Sequence, residues 1–172
     1  MCIRDSIWLD PLNAQKITQN LVQILSEFDP ENAQTYHSNG KKTILRLSDL
    51  NIQLEIKMSS VSSKSYIVFH DAYQYFEKRY QLNPIASVAV SSSHSISVGR
   101  LIDIRKKIKN KNVICIFTEP QFPPKLVQTV ISGTAVKKGI LDPIGTSISP
   151  GPELYFTLLN NISHSISTCF KK

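Results

Sequence analysis

From residue 66 onward, short apolar runs alternate with stretches of helical spacing, and no other feature of the chain constrains its fold as much. The strand-like segments are 66–69, 85–90, 113–117 and 136–141. Between and after them lie helical stretches over 72–80, 99–109, 124–131 and 152–170, the second with Leu101, Ile102, Ile104 and Ile108 on its apolar side. A strand with one wet face alternates polar and apolar residues, whereas a continuous apolar run is covered on both faces. Strand–helix alternation with right-handed crossovers therefore predicts an α/β lobe over 66–172. It is a four-stranded, mostly parallel sheet with helices on both faces and every strand's C-terminal end at one edge.

Upstream of this lobe the spacing is helical. Asp10-Pro11 is an N-cap followed by proline in the first turn. Ile17, Leu21, Ile24, Leu25 and Phe28 then recur at helical intervals. Asp29-Pro30 repeats the start signal, and Tyr36, Leu47, Leu50 and Leu54 carry a stripe to about Met58, with only Gly40 weakening it. An unbroken helix over 29–58 runs about 45 Å. That is long for a compact domain and predicts a spine joining two lobes, with 7–28 the end of the first. The serine-rich stretch 59–65 reads as the loop that ends it. Residues 1–6 lack the basic, apolar and small-residue regions of a signal peptide. They lead straight into Ile7-Trp8-Leu9-Asp10-Pro11, which reads as protein interior. The expectation is a foreign stub on a fragment, and Cys2 is given no structural weight.

With 41% hydrophobic and 19% charged residues the chain can bury a core. No stretch approaches the roughly 20 apolar residues of a membrane-spanning helix. Twenty basic residues against 13 acidic give a net charge of +7. The densest basic run, Arg105, Lys106, Lys107, Lys109 and Lys111, ends a helix and complements its dipole. No aromatics interleave with it, so it reads as a solvated face and no nucleic-acid partner is expected.

In open α/β sheets, ligands bind outside the carboxyl ends of the strands. The residues there are His70 and Asp71 after the first run, Ser91 and a serine cluster after the second, Thr118 and Glu119 after the third, and Asp142 and Pro143 after the fourth. Histidine with carboxylates is a metal-ligand set that suits zinc better than calcium or magnesium. Spacing alone leaves a second reading open: His70 as a strand-end residue bonding a helix N-terminus, Asp142 as a turn residue before Pro143, and Glu119 as a local acceptor. His37 and His164 read as helix surface, and His94 as loop surface. Cys115 and Cys169 fit either two buried thiols or a disulfide tying the last helix to the sheet. No nucleophile accompanies His70-Asp71 and no Gly-rich phosphate loop is present, so an enzyme is not expected.

Four segments occur in order: Ile7-Trp8-Leu9-Asp10-Pro11, Phe69-His70-Asp71-Ala72-Tyr73, Glu119-Pro120-Gln121-Phe122 and Leu141-Asp142-Pro143-Ile144-Gly145. Together they resemble the C-terminal half of the ZnuA family of periplasmic zinc receptors, which serve zinc ABC importers. The resemblance covers the chain from Ile7 to about Phe170. It implies two α/β lobes on a rigid helix, with Zn²⁺ held between them and passed to an ABC transporter permease in the inner membrane. By resemblance His70 and Asp142 are metal ligands, with Asp71 and Glu119 as possible supporting groups behind them, and Cys115 and Cys169 match the family's cysteine pair. Manganese-selective relatives tend to carry glutamate where this chain has His70, and imidazole shifts preference toward zinc. The family usually has a ligating histidine where Ser6 stands, and the first lobe's histidines would lie upstream in a missing N-terminal lobe. The alternatives are a manganese or iron receptor of the same family and a metal-receptor-like adhesin.

Overall fold

A computed structural model of the chain describes residues 6–89, 97–123 and 125–171. Residues 1–5 with Cys2, the polar loop with Ser91 and His94, and Pro124 lie outside the described residues. The chain opens with a 3-10 turn, Ile7–Leu9, and helix α1, Pro11–Phe28. The Asp10 carboxylate caps α1 by accepting from the Leu12 amide, with Pro11 at the first helical position. A second 3-10 turn, Pro30–Asn32, leads into α2, Ala33–Ser59. The expected spine is thus 27 residues of α-helix, about 40 Å long. It starts later than expected because the chain first turns around Asp29, which accepts from the Tyr36 hydroxyl and the Asn32 amide.

α1 folds back antiparallel along α2. Gln15 donates to Ser48, and Gly40 lies against Val22, where an added Cβ would collide with the valine side chain. Gly40, expected to be the weak point of the helix, is instead what lets the two helices approach. The apolar stripe of α1 faces away from α2. Leu21 is 51% exposed, Ile24 56% and Phe28 91%.

The sheet comprises β1 (Ser65–Val68), β2 (Asn83–Ser87), β3 (Cys115–Thr118) and β4 (Lys137–Ile140). Its order is β2-β1-β3-β4 and every pairing is parallel. Helices α3 (Gln74–Arg79), α4 (Val98–Asn110), α5 (Lys125–Ile131) and α6 (Leu154–Cys169) cover both faces. Strand periodicity sends Tyr66, Val68, Cys115 and Phe117 to one face, against Leu54 and Met58 of α2, Phe76 of α3 and Leu159 and Ile162 of α6. Ile67, Phe69 and Ile116 pack on the other, against Ile104 and Ile108 of α4 and Val127 and Val130 of α5. Cys115 and Cys169 form a disulfide, with Cα atoms 6.1 Å apart, that ties the end of α6 to β3.

Two strands depart from expectation. β2 begins earlier, at Asn83-Pro84, because it is an edge strand and proline is tolerated there. β4 is the opposite edge and is mostly exposed, with Lys137 and Lys138 outward. Helix α3 starts at Gln74 rather than 72, since the chain first makes a tight turn in which the Ala72 amide donates to His70 O.

Candidate metal centre

The sheet order fixes where a site can form. The chain leaves β1 toward β2 on one side and returns to β3 on the other, so the connections diverge between the C-terminal ends of β1 and β3. A crevice opens at such a switch point. The parallel register pairs Tyr66 with Cys115 and Ile67 with Ile116. The same offset of 49 positions brings His70 level with Glu119. Both continue the parity of Tyr66 and Phe117, so they emerge on one side of the sheet.

His70 Nδ1 lies 3.0 Å and 3.1 Å from the two Glu119 oxygens. The Glu119 side chain is 2% exposed and that of His70 17%. When the carboxylate is ionised it only accepts, so Nδ1 is the donor of the pair, and in the neutral imidazole the lone pair is then on Nε2. Phe122 stacks on Phe69 at 4.5 Å between ring centroids and lies 6.0 Å from the His70 ring. Behind the pair, the Tyr73 hydroxyl is fully buried and faces Glu119 without a hydrogen bond of normal geometry. Burial, followed by the charge of Glu119, pushes its ionisation well above the usual tyrosine range.

His70, Glu119, Gln121 and Phe122 line a cavity of about 370 Å³. Its other wall comes from Trp8 and Ser6 at the start of the chain and from Pro143 and Ile144. That opening segment is strapped to the lobe. The Trp8 indole donates to Pro143 O at 3.1 Å, the Tyr155 hydroxyl donates to Trp8 O at 2.7 Å, and Arg79 grips the Asp10 carboxylate at 2.9 and 2.8 Å. Ser6 is buried in a left-handed backbone conformation at φ 74°.

Asp142 follows β4, one sheet position beyond the level of His70 and Glu119. It is not among the residues lining that cavity. Its Oδ1 accepts from Gln121 Nε2 and the amides of Ile144 and Gly145, and its Oδ2 from the amide and hydroxyl of Thr146. Partial burial raises its pKa, but the hydrogen bonds from Thr146, Gln121 and Ile144 outweigh this and hold the carboxyl below its ordinary range. Asp71 is exposed and also lines no part of the cavity. The structure thus brings His70 and Glu119 together, while Asp142 lies outside the lining of their cavity and accepts a hydrogen bond from Gln121, which belongs to it. Among the described residues no group of three or more His, Cys, Asp and Glu gathers at one point. His37 and His164 are exposed on their helices, as expected.

Sequence reasoning passed over Trp8, Gln121 and Tyr73 as site residues. Gln121 follows Glu119 by two residues, and its contact with Asp142 appears only once the strands are paired.

The family profile described as "ZnuA: Zinc-uptake complex component A periplasmic" matches residues 5–169. The high-affinity zinc uptake system protein ZnuA of Brucella suis biovar 1 (strain 1330) is 40% identical over 165 residues, covering 96% of this chain and 49% of that protein. Zn(II)-bound AdcAII of Streptococcus pneumoniae, solved as a mutant variant, superposes with a TM-score of 0.76 at 26% identity, over 94% of this chain and 60% of that one. The laminin-binding protein Lbp of Streptococcus pyogenes does so with 0.82 at 26%, over 95% and 63%. The chain spans about half the length of the curated relatives it matches.

Proposed function

The chain belongs to the ZnuA family of periplasmic zinc-uptake components, and from that premise we propose that it supplies the C-terminal half of a zinc receptor's binding site. Zn²⁺ is the cargo, captured in the periplasm and handed to the inner-membrane permease of an ABC importer, with no chemical step. His70 Nε2 and an Asp142 oxygen are the ligands, the nitrogen at about 2.0–2.1 Å from the ion. Glu119 holds the other ring nitrogen, fixing the imidazole and raising its basicity. The observation that carries this reading is the buried Glu119 carboxylate against His70 Nδ1 at the sheet's switch point. Zinc sites recurrently have that carboxylate–histidine arrangement.

The rest of the shell comes from the part of the receptor that relatives have and this chain does not span. Two observations support that division into residues 7–28, a spine over 29–58 and a lobe over 66–172. The outer stripe of α1 is apolar and uncovered, as a helix facing another lobe would be. Ser6, at the position where the family usually has a ligating histidine, lines the same cavity as His70.

Calorimetric titration of the chain with ZnCl₂ at neutral pH tests the assignment. The expected result is saturable uptake of one ion that is lost in His70→Ala and weakened about 10- to 100-fold in Glu119→Gln. Undiminished zinc affinity in His70→Ala overturns it. Competition with Mn²⁺ in the same titration separates zinc from a manganese receptor, since an imidazole ligand favours zinc.

A further inference from the structure

The Glu119 side chain is buried, at 2% exposure. Among the described residues its carboxylate accepts from one donor, His70 Nδ1, which lies 3.0 and 3.1 Å from its two oxygens. An ionised carboxylate has about four lone-pair positions, so most of this buried acceptor's capacity is unused. Tyr73 has the complementary deficit. The chain turns after His70, where the Ala72 amide donates to His70 O. Tyr73 then joins the apolar cluster of Tyr66 and Phe117, on the side of the sheet from which His70 and Glu119 emerge. Tyr73 is 1% exposed. Its hydroxyl faces Glu119 and, among the described residues, has no hydrogen-bond partner of normal geometry. Leaving a buried hydroxyl unsatisfied is costly. A phenol can donate and a carboxylate accepts, so one small movement of the side chains would satisfy both groups.

We propose that Tyr73 is the second donor to Glu119: when zinc occupies His70, the Tyr73 hydroxyl closes on the carboxylate and fixes it against Nδ1. This role rests on the assignment of His70 as a zinc ligand. A metal on Nε2 draws electron density from the imidazole, which makes Nδ1–H a stronger donor and sets Glu119 in one orientation. The partner behind a ligating histidine governs how well the ring is held, and Tyr73 governs that partner. Tyr73 is therefore a positioning residue, removed from the ion by Glu119 and His70. In the zinc-free chain its hydroxyl is unsatisfied and stabilises nothing, so its contribution appears only with the ion bound. A hydroxyl that merely braced the core would be bonded in both states, and its loss would lower stability with or without zinc.

The test is ZnCl₂ titration of Tyr73→Phe beside the unaltered chain, with melting of the zinc-free forms and near-ultraviolet difference spectra on zinc addition. Phenylalanine keeps the ring and removes only the hydroxyl. Zinc binding should weaken about tenfold, the lower end of what losing an outer partner of a ligating histidine costs. The zinc-free melting temperature should be unchanged or higher, because an unsatisfied buried hydroxyl has been removed. A phenol that donates to a carboxylate absorbs at longer wavelength, so zinc should shift a tyrosine band of the unaltered chain to the red, and Tyr73→Phe should lack that shift. If Tyr73→Phe fails to fold, the band decides: it should appear in the unaltered chain at saturating zinc and be lost in Glu119→Gln. A chain without the band overturns the proposal. So does a Tyr73→Phe variant whose zinc-free melting temperature falls while its band persists. Unchanged zinc affinity in Tyr73→Phe, while His70→Ala abolishes uptake, overturns the role of Tyr73 and leaves the zinc assignment standing. Undiminished binding in His70→Ala overturns both.

Discussion

In the α/β lobe, Tyr66, Phe69, Phe76 and Phe117 are each at most 1% exposed, whereas on the α1–α2 hairpin Leu21, Ile24 and Phe28 stand 51%, 56% and 91% exposed. The lobe closes on itself, with two apolar clusters sandwiching a parallel sheet. The hairpin shows the reverse. α1 meets α2 through Gln15, Val22 and the gap left by Gly40, and turns its apolar stripe outward. Leu45, Ile52 and Ile56 on α2 are likewise more than half exposed, while Leu50, Leu54 and Met58 of the same helix are buried against the lobe. An amphipathic period says which face of a helix wants cover, and the partner that supplies it is a separate question.

If the lobe is the self-sufficient half, stability should depend on its internal ties. The largest expected loss is that of the Cys115–Cys169 disulfide. In the chain-entropy model its closed loop, spanning a separation of 54 residues, is worth about 4 kcal/mol. A Cys115→Ser, Cys169→Ser double variant should show this as a lowered urea midpoint. A change below about 1 kcal/mol would mean that the sheet and α6 hold together without the tie.

The two faces of α2 give the next contrast inside one helix. Leu54 is fully buried and Ile56 is 71% exposed. Leu54→Ala should destabilise by about 3 kcal/mol and Ile56→Ala by less than about 0.5. Comparable losses at the two sites in urea unfolding would erase the distinction between covered and uncovered faces.

Glu77 of α3 sharpens the comparison differently, because it is a carboxylate placed inside the well-sealed lobe. Burial pushes its pKa from 4.5 up to about 7, the Tyr66 hydroxyl bond pulls it back, and the charge of Asp71 adds to the rise. A folded-state value above the unfolded one means that the protonated form fits the native state. The penalty is absent below about pH 4.5, grows as pH rises to about 7, and is complete above it. Glu77→Gln should therefore stabilise the chain by about 3 kcal/mol near pH 8 and leave it unchanged near pH 4.5. Melting temperatures across that window check it, and a gain independent of pH would remove the titration as its cause.

Much of this arrangement was legible beforehand. Continuous apolar runs at 66–69 and 113–117 implied a sheet covered on both faces, and strand-end logic selected His70 and Glu119. Once the strands are paired, their equal offset makes the contact a consequence of register. Other features were hidden for physical reasons. Pro84 suggests a turn until the strand is known to be an edge. Gly40 reads as a weak helix residue until Val22 is known to sit over it. Asp142 carries the same letter whether it points to a metal or caps its loop, and only the donors around it tell the two apart. The outward turn of α1 was illegible for a further reason: a stripe of Ile17, Leu21, Ile24 and Phe28 has the same period whichever way it faces.

That stripe supports the smallest effect on folding. Phe28 is 91% exposed, so Phe28→Ser removes almost no burial from the folded chain and should change its unfolding free energy by less than about 0.5 kcal/mol. Its effect belongs to association instead. An aromatic ring beside exposed Ile24 and Leu25 on α1 forms part of an apolar patch that favours contact with another surface. Sedimentation at increasing concentration should show self-association in the unaltered chain and less of it in Phe28→Ser. The two measurements separate the regions cleanly. A substantial loss of stability would place Phe28 within the fold's own core, and identical sedimentation would mean that the stripe is as inert as ordinary solvated surface.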